Sequence, residues 1–275
     1  MAEFRRGSAL IHYTDTDTGA PRDRPDAPTV FFGHGLLFSG WMFEPQIAAL
    51  RDSYRCVAID WRGQGSSSAV RDGYDMDTLA ADATALIEHL NLAPVHYVGL
   101  SMGGFVGQRI AARKPHLVRS LTLLDTSAGP EDPDSASQFK LLSFIYWIVG
   151  IKPLRKKVLP LMFGPVFLAD PANAALIAEW ERRLARCKRA GTGRAVRGVA
   201  DRAAVDAEIP SITAPTLVLV GADDAATPVR KSETIAATIP GARLEVIPDC
   251  GHSSSLEQPA AVTRVIREFL ESIGT

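Results

Sequence analysis

A serine in the middle of the chain has the surroundings of a reactive nucleophile. Ser101 lies in the sequence GLSMG (99–103), after a short apolar run (95–98) and before a stretch with helical periodicity. This order predicts a strand, a sharp turn and a helix. Strand and helix approach closely at such a turn, so the flanking residues must lack a Cβ, and Gly99 and Gly103 meet that need. The turn would expose the Ser101 hydroxyl at a helix N-terminus, where the dipole favours developing negative charge.

A base is needed beside this serine, because a hydroxyl is a weak nucleophile near neutral pH. His252 follows the last predicted strand in the loop PDCGHS (248–253), from which it could reach back over the strand ends. His34 also follows a strand. The remaining histidines fall on predicted strands or helices, where a hydrogen-bonded or solvated ring is the ordinary interpretation; they are His12, His89, His96 and His116. The sequence therefore favours His252 as the base.

A carboxylate to orient the histidine is expected in a loop after a strand, between Ser101 and His252. The loop GADDAATP (221–228) fits, and we expect only one of its two adjacent aspartates to point at the histidine while the other caps the turn or the next helix. Asp125 also ends a buried strand. The sequence favours Asp224, with Asp223 and Asp125 as alternatives.

Short apolar runs alternate with amphipathic stretches over most of the chain. The predicted strands are 9–13, 29–32, 54–59, 95–98, 121–124, 215–220 and 244–247, and the predicted helices are 43–50, 75–91, the stretch after Ser101, 231–238 and 259–272. Nearly continuous apolar strands are typical of a sheet covered on both faces. The pattern predicts an α/β fold with a mostly parallel central sheet between helices and a site at the carboxyl ends of the strands. A polar, proline-rich stretch (14–28) predicts a surface loop.

Strand signals disappear between residues 130 and 210. We predict a core domain made of 1–129 and 211–275, with an all-helical cap (130–210) that could cover Ser101 as a lid. Within it, LLSFIYWIVGI (141–151) is apolar on every side, so it must be shielded on two surfaces. One surface could line a cavity above Ser101, and the candidate wall residues are Phe144, Tyr146, Trp147 and Ile148. Burial inside the cap or in a dimer contact would explain the pattern equally well.

Composition limits the class of protein. The 275 residues, 46% of them apolar, can bury one main core with a smaller appendage, and the net charge of −1 provides no basic field for nucleic acid. Three dispersed cysteines without C-x-x-C and a start without a signal peptide predict no disulfide framework and a cytoplasmic location. The longest apolar stretch falls short of the roughly 20 residues that span a bilayer. The sequence does not indicate an oligomeric state.

With these motifs taken together, the chain resembles enzymes of the α/β-hydrolase fold over nearly its whole length. Five motifs occur in the order of that family: His34-Gly35, Asp60-x-Arg62-Gly63-x-Gly65-x-Ser67, Gly99-x-Ser101-x-Gly103-Gly104, Gly221-x-x-Asp224-x-x-x-Pro228, and Gly251-His252 followed by Glu257-x-Pro259. The stretches 46–65 and 101–128 are similar to enol-lactonases, cofactor-free bacterial esterases and haloperoxidase-like members. The resemblance implies a cap inserted after the sixth strand of the family's count.

Roles follow from the resemblance for the matching positions. It implies Ser101 as the nucleophile, His252 as the base and then the acid, and Asp224 as the partner of the histidine. It also implies an oxyanion hole formed by the backbone N–H groups of Leu36 and Met102, each such donor being worth ~3 kcal/mol in the transition state. We interpret His34, Asp60 and Arg62 as residues that hold loops and turns.

The expected reaction is acyl transfer to serine and then to water. Dehalogenases and epoxide hydrolases of this fold carry aspartate where this chain carries Ser101, so both reactions are disfavoured. The expected small-molecule substrate is a carboxylic ester or lactone, with an apolar group if 141–151 lines the site. Cleavage of a thioester, of a C–C bond in a vinylogous diketone, or perhydrolysis would use the same three residues.

Other classes of site and function find less support. A ligand-binding protein of this fold without turnover would be expected to have a damaged serine, acid or histidine motif, and all three are intact. The sequence contains no HExxH metal motif, and no G-x-G-x-x-G or Walker loop follows a strand. We therefore expect neither a metal nor a cofactor.

Overall fold

One mixed sheet forms the centre of the molecule. The computed structural model describes residues 2–17 and 27–274, and within them eight strands pair in the order β1-β2-β4-β3-β5-β6-β7-β8. The strands are β1 (Ala2–Arg6), β2 (Ala9–Asp15), β3 (Thr29–Gly33), β4 (Arg55–Ile59), β5 (Val95–Leu100), β6 (Val118–Leu124), β7 (Thr216–Gly221) and β8 (Arg243–Ile247). Pairing is antiparallel from β1 to β2 and from β2 to β4, and parallel elsewhere. The predicted α/β fold with a mostly parallel sheet is confirmed.

Helices cover both faces of this sheet. In the described part of the chain they are α1 (Glu44–Leu50), α2 (Met76–His89), α3 (Met102–Arg113), α4 (Pro133–Val149), α5 (Arg155–Met162), α6 (Pro165–Ala169), α7 (Ala174–Arg186), α8 (Arg189–Ala200), α9 (Val229–Thr238), α10 (Ser254–Glu257) and α11 (Pro259–Ile273). Helices α2, α3 and α9 pack on one face and α1 and α11 on the other. None of the helices in the described residues is both long and apolar enough to cross a bilayer.

Consecutive side chains of the central strands enter two separate cores. In β3, Phe31 packs with the core under α2 and α3, whereas Val30 and Phe32 pack with the core under α1 and α11. All three are fully buried, which explains the uninterrupted apolar sequence of the strand. Burial of each such side chain stabilises the fold by about 1.5–3 kcal/mol relative to exposure.

The edge of the sheet departs from prediction. Strand β1 was not predicted, because it is mostly exposed and Phe4 is its only large apolar residue. Strand β2 continues to Asp15, so the loop predicted for 14–28 begins later than expected. The rest of that loop, residues 18–26, lies outside the described residues.

Between β6 and β7 the regular elements are all helices, as predicted, and the α-helices are α4 to α8. Asp132 caps the N-terminus of α4, because its carboxylate accepts the N–H groups of Asp134 and Ser135 at 3.0 and 3.3 Å. Pro133 is then the first helical residue. Helix α7 buries Ile177, Trp180 and Leu184, which lie three or four residues apart on one face.

The two connections between this helical segment and the sheet lie side by side. The N–H of Val205 donates to the carbonyl of Ala128 at 2.9 Å, and the Arg202 guanidinium donates to the carbonyl of Gly129 at 3.3 Å. Helix α7 ends at Arg186, and Arg189 begins α8. The division into a core and a cap at 129/130 and 210/211 stays a prediction.

Candidate active site

Ser101 occupies a strained turn between β5 and α3. Its backbone has φ 51° and ψ −110°, a conformation that costs about 1–3 kcal/mol for a residue with a side chain. The turn is possible because glycine flanks it: a Cβ at Gly103 would lie 1.9 Å from the Gly33 carbonyl oxygen, and one at Gly99 would lie 2.4 Å from the Gly103 carbonyl oxygen. The side chain of Ser101 therefore stands above the sheet at the N-terminus of α3.

Three strand ends bring a serine, a histidine and an aspartate into one hydrogen-bonded chain. The Ser101 Oγ lies 3.0 Å from Nε2 of His252, and Nδ1 of that ring lies 2.9 and 3.0 Å from the two carboxylate oxygens of Asp224. All three residues are buried. With the proton on Nδ1, the ring donates to Asp224 and its Nε2 is free to accept the serine hydroxyl proton.

Electrostatics keeps Asp224 ionised. Burial alone would raise the pKa of this carboxyl, but the neighbouring His252 and several hydrogen bonds outweigh burial and lower it. Thr227 supplies two of those bonds, from its N–H at 2.8 Å and its hydroxyl at 2.7 Å. For His252 the balance is reversed: burial would lower the pKa of the ring, and the charge and hydrogen bond of Asp224 raise it.

The two alternative acids have other partners. Asp223 is exposed, and its N–H donates to the carbonyl of Cys250. Asp125 is fully buried, but its carboxyl accepts the Gly221 N–H at 2.9 Å and the Ser254 hydroxyl at 2.5 Å. Burial, together with the nearby Asp224 charge, raises the pKa of Asp125 well above its ordinary value. Only Asp224, the residue that the sequence favours, hydrogen-bonds to His252 among these three.

Two backbone amides beside Ser101 are free to bind a ligand oxygen. Neither the N–H of Leu36 nor that of Met102 has an acceptor among residues 2–17 and 27–274. The loop of Leu36 lies against the serine, since a Cβ at Gly35 would be 3.6 Å from the Ser101 Cβ. Gln64, which the sequence analysis missed, holds this loop by accepting the N–H of Leu37 at 2.8 Å.

His34 holds the same loop from behind, which agrees with its predicted structural role. Its Nδ1 contacts the Gly35 carbonyl at 2.7 Å, and its Nε2 accepts the Trp61 N–H at 3.0 Å. Burial lowers the pKa of this ring to about 4, so it is neutral near pH 7. Asp60 and Arg62 also act within turns: Asp60 accepts backbone N–H groups, and Arg62 forms a bidentate pair with a buried aspartate, Asp82.

An apolar cavity opens above Ser101 and His252. Its walls come from the sheet edge and from the helical segment between β6 and β7; they are Leu36, Leu37, Phe105, Phe139, Leu142, Tyr146, Ile151, Leu154, Val158, Leu161, Met162, Leu184, Val196, Val199 and Ala226, with Glu131, Ser143, Thr192 and Thr227 as polar members. The lining is thus suited to a largely apolar molecule, and Ser101 forms part of the wall.

Of the four wall residues predicted on α4, the structure places one in the cavity lining and three outside it. Tyr146 lines the cavity, with 6% of its surface exposed. Phe144, Trp147 and Ile148 are 54%, 57% and 55% exposed and lie outside the cavity lining. The cavity face of α4 is formed instead by residues three or four apart, as the helical period requires: Phe139, Leu142, Ser143 and Tyr146. The sequence could not distinguish the faces because both are apolar.

A buried glutamate connects the helical segment to the histidine loop, and its role was not predicted. Glu257 accepts the N–H groups of Gly164 and Gly251 on one oxygen, at 2.8 and 2.9 Å, and that of Ser253 on the other, at 2.9 Å. The Ser253 hydroxyl also donates to the Met162 carbonyl at 2.6 Å. The only sequence signal for this contact is the Glu257-x-Pro259 motif, which gives no indication of what the carboxylate binds.

Known proteins resemble this chain in both sequence and structure. A family model described as the alpha/beta hydrolase fold matches residues 28–259. The chain is 27% identical over 269 residues to 3-oxoadipate enol-lactonase 2 of Acinetobacter baylyi, which covers 95% of this chain and 98% of that protein.

Two solved structures extend the comparison. An enol-lactonase from Burkholderia xenovorans LB400 superposes with a TM-score of 0.89 at 26% identity, covering 98% of this chain and 100% of that one. A thermophilic esterase from Thermogutta terrifontis superposes with a TM-score of 0.86 at 29% identity, covering 97% and 95%. The family model spans most of the chain, and these likenesses span nearly all of it. The chain belongs to the α/β-hydrolase fold family.

Proposed function

We propose that this protein is a serine hydrolase that cleaves a carboxylic ester or lactone with an apolar acyl or alcohol group. The observation that carries the proposal is the hydrogen-bonded chain of Ser101, His252 and Asp224, whose serine end opens into the apolar cavity. The enol-lactonase and esterase named among the similar proteins support the same reaction class, since both names describe enzymes of ester bonds.

In the first half of the reaction, Ser101 becomes acylated. As its Oγ attacks the carbonyl carbon, the proton passes to Nε2 of His252, and the imidazolium is stabilised by the Asp224 carboxylate. Negative charge develops on the carbonyl oxygen, which accepts the free N–H groups of Leu36 and Met102. The tetrahedral intermediate collapses when His252 returns its proton to the departing alcohol oxygen.

In the second half, water releases the acid. His252 takes a proton from water, which attacks the acyl carbon, and the same two amides bind the oxyanion. Collapse of this second intermediate returns the proton to Ser101 and frees the carboxylic acid. Each of the two amide donors contributes about 3 kcal/mol, so the pair accounts for a large share of the rate enhancement.

The helices between β6 and β7 serve in this proposal as the cap of the site. They supply most of the cavity wall, from Phe139 of α4 to Val199 of α8. An alkyl group that enters the cavity gains about 0.8 kcal/mol per buried CH₂ until the space is filled. We therefore expect kcat/KM to climb from acetate to medium-chain esters.

Ser101→Ala provides the direct test, with p-nitrophenyl hexanoate as substrate and a fluorophosphonate as label. We expect kcat to fall by several orders of magnitude, as in other serine hydrolases, and labelling to be lost while the circular dichroism spectrum is unchanged. Ser211→Ala, at an exposed serine, is the matched control and should retain activity and labelling. Substantial esterase activity in Ser101→Ala would remove the proposal.

A further inference from the structure

One acidic side chain reaches the mostly apolar cavity. Among the described residues that line it, Glu131 is the one with a carboxyl group and His252 is the one histidine, and neither lysine nor arginine is present. The Glu131 side chain is only 7% exposed. A carboxylate is costly to bury without a partner, so its surroundings must compensate its charge.

Arg202 provides that compensation. Its Nη1 lies 2.8 Å from Glu131 Oε2, and its side chain is 1% exposed. Lys231, which is more exposed, lies 3.6 Å from the other oxygen. The carboxylate is therefore paired with a buried cation and approached by a second one.

The buried cation lies directly behind the cavity wall. The Arg202 guanidinium stacks on Phe105, at 4.2 Å from the ring centre, and Phe105 itself lines the cavity. Its other N–H groups donate to the Ser127 hydroxyl at 3.1 Å and to the Val199 carbonyl at 3.1 Å. Arg202 is thus held in place by several groups, and Glu131 is its charged partner.

We propose that Glu131 determines the charge specificity of the site: by neutralising Arg202 it restricts the cavity to uncharged groups and excludes substrates that carry a carboxylate into it. The inference rests on the proposed ester hydrolysis and names its substrate class, which is uncharged esters and lactones.

The physical reason is the balance between the Glu131 carboxylate, which repels an anion in the cavity, and the Arg202 guanidinium, which would attract one. A carboxylate that enters the cavity loses its hydration and meets the Glu131 carboxylate, while the cation that could bind it is already paired. Without the Glu131 charge, the guanidinium of Arg202 would lack its closest charged partner, and its planar geometry suits a carboxylate. Loss of one negative charge should therefore turn exclusion of an anion into acceptance.

Two substrates of equal length make the test. p-Nitrophenyl pentanoate and mono-p-nitrophenyl glutarate share the leaving group, and a carboxylate replaces the terminal methyl group in the second. The ratio of their kcat/KM values does not depend on the fraction of active enzyme, so it can be read even for a variant that folds poorly. We expect the wild type to favour pentanoate by at least about 100-fold.

Three variants and a control should change this ratio in a fixed pattern. Glu131→Gln should lower it at least tenfold, chiefly by faster hydrolysis of the glutarate. Arg202→Met, which leaves the Glu131 charge, should raise it, and Glu131→Gln/Arg202→Met should return it to within about threefold of the wild type. Glu208→Gln removes a carboxylate that pairs with Arg113 outside the cavity and should leave the ratio unchanged.

The outcomes separate the two proposals. A wild type that hydrolyses pentanoate and glutarate equally well, or a ratio that stays the same in Glu131→Gln, overturns the role of Glu131 and leaves ester hydrolysis standing. If Glu131→Gln yields no soluble protein, the direction of change in Arg202→Met decides, and a lower ratio overturns the inference. A wild type that hydrolyses no ester would overturn the proposed function itself.

Discussion

Different interactions stabilise the carboxyl edge of the sheet and the helices that cover it. At the edge, polar side chains have several directed partners: Asp224 alone accepts bonds from His252, Ala226 and Thr227. The helical segment contributes mainly apolar side chains, whose contacts have no preferred direction. Directed bonds fix atoms to within a fraction of an ångström, whereas apolar packing fixes volume. We therefore expect changes at the edge to affect the chemical step and changes in the helices to affect the choice of substrate.

The largest effect is expected at the acid. Asp224→Asn should lower kcat by about 10,000-fold, because an amide cannot stabilise the imidazolium and favours the wrong tautomer of His252. Asp125→Asn should lower kcat less than tenfold, since Asp125 binds the Gly221 N–H and the Ser254 hydroxyl instead of the histidine. Steady-state kinetics on both variants, with thermal melts to check folding, measures the contrast. The reverse ranking would assign the acid to the end of β6.

The pH profile is expected to show the next largest effect. His252 acts as a base only when it is neutral, and Asp224 raises the pKa of the ring above 6.5. Activity should therefore be full above that raised pKa and should fall about tenfold per pH unit below it. The profile of kcat/KM between pH 5 and 9 tests this, and a midpoint at or below 6.5 would contradict the structure. Substitution of a helix residue such as Trp147 should leave the midpoint in place.

Glu257 connects the carboxyl edge of the sheet to the helical segment, so its substitution tests whether the helical segment also affects the chemical step. Glu257→Gln leaves one oxygen to accept three N–H groups, and each buried donor left without a partner costs about 1–3 kcal/mol. We expect kcat to fall roughly tenfold, because the activation free energy that corresponds to this change lies within the range of those costs. The acid midpoint of the profile should also move down, because the charge of Glu257 adds to that of Asp224 in raising the pKa of His252.

The control for this variant is Glu268→Gln, which removes the charge of a side chain that is 57% exposed and should change neither kcat nor the midpoint. An unchanged kcat and midpoint in Glu257→Gln would mean that the histidine loop keeps its position without the helical segment.

The smallest effects are expected on α4, where the two faces of one helix can be compared. Leu142 lines the cavity, so Leu142→Ala should enlarge it and shift the preferred ester to a longer chain, with about a tenfold loss for the short ester that fitted before. Trp147 is 57% exposed, and Trp147→Ala should change kcat/KM less than twofold for every chain length. A chain-length series for both variants measures this. Equal responses would show that the exposed face also takes part in binding.

The same contrast explains how much the sequence could predict. Strands β2 to β8, the turn at Ser101 and the order of the three polar loops follow from local patterns, because glycine spacing and apolar runs determine them within a few residues. The sequence favours Asp224 over Asp223 and Asp125, and Asp224 is the one of these three that hydrogen-bonds to His252. The roles of these residues in catalysis stay predictions.

The helical region could be predicted only as helical. Which face of α4 meets the cavity depends on packing against α8, far along the chain, and both faces carry large apolar residues. Glu257 contacts Gly164 across 93 residues of sequence, and Glu131 contacts Arg202 across 71. Such pairs leave no local pattern, because neither partner determines the conformation of its own neighbours.

The two ends of the helical segment lie next to each other at the sheet, where the N–H of Val205 donates to the carbonyl of Ala128. A segment whose two ends already meet can be lengthened, shortened or exchanged without moving the strands, and a doubling of its length costs only about 0.6 kcal/mol in closure entropy. A replacement would need to keep the two contacts with the histidine loop: a backbone N–H at the place of Gly164 for Glu257, and a carbonyl at the place of Met162 for Ser253. The fold is therefore suited to engineering in which the helical segment is exchanged to change the substrate preference, while the sheet and the residues at its carboxyl edge stay the same.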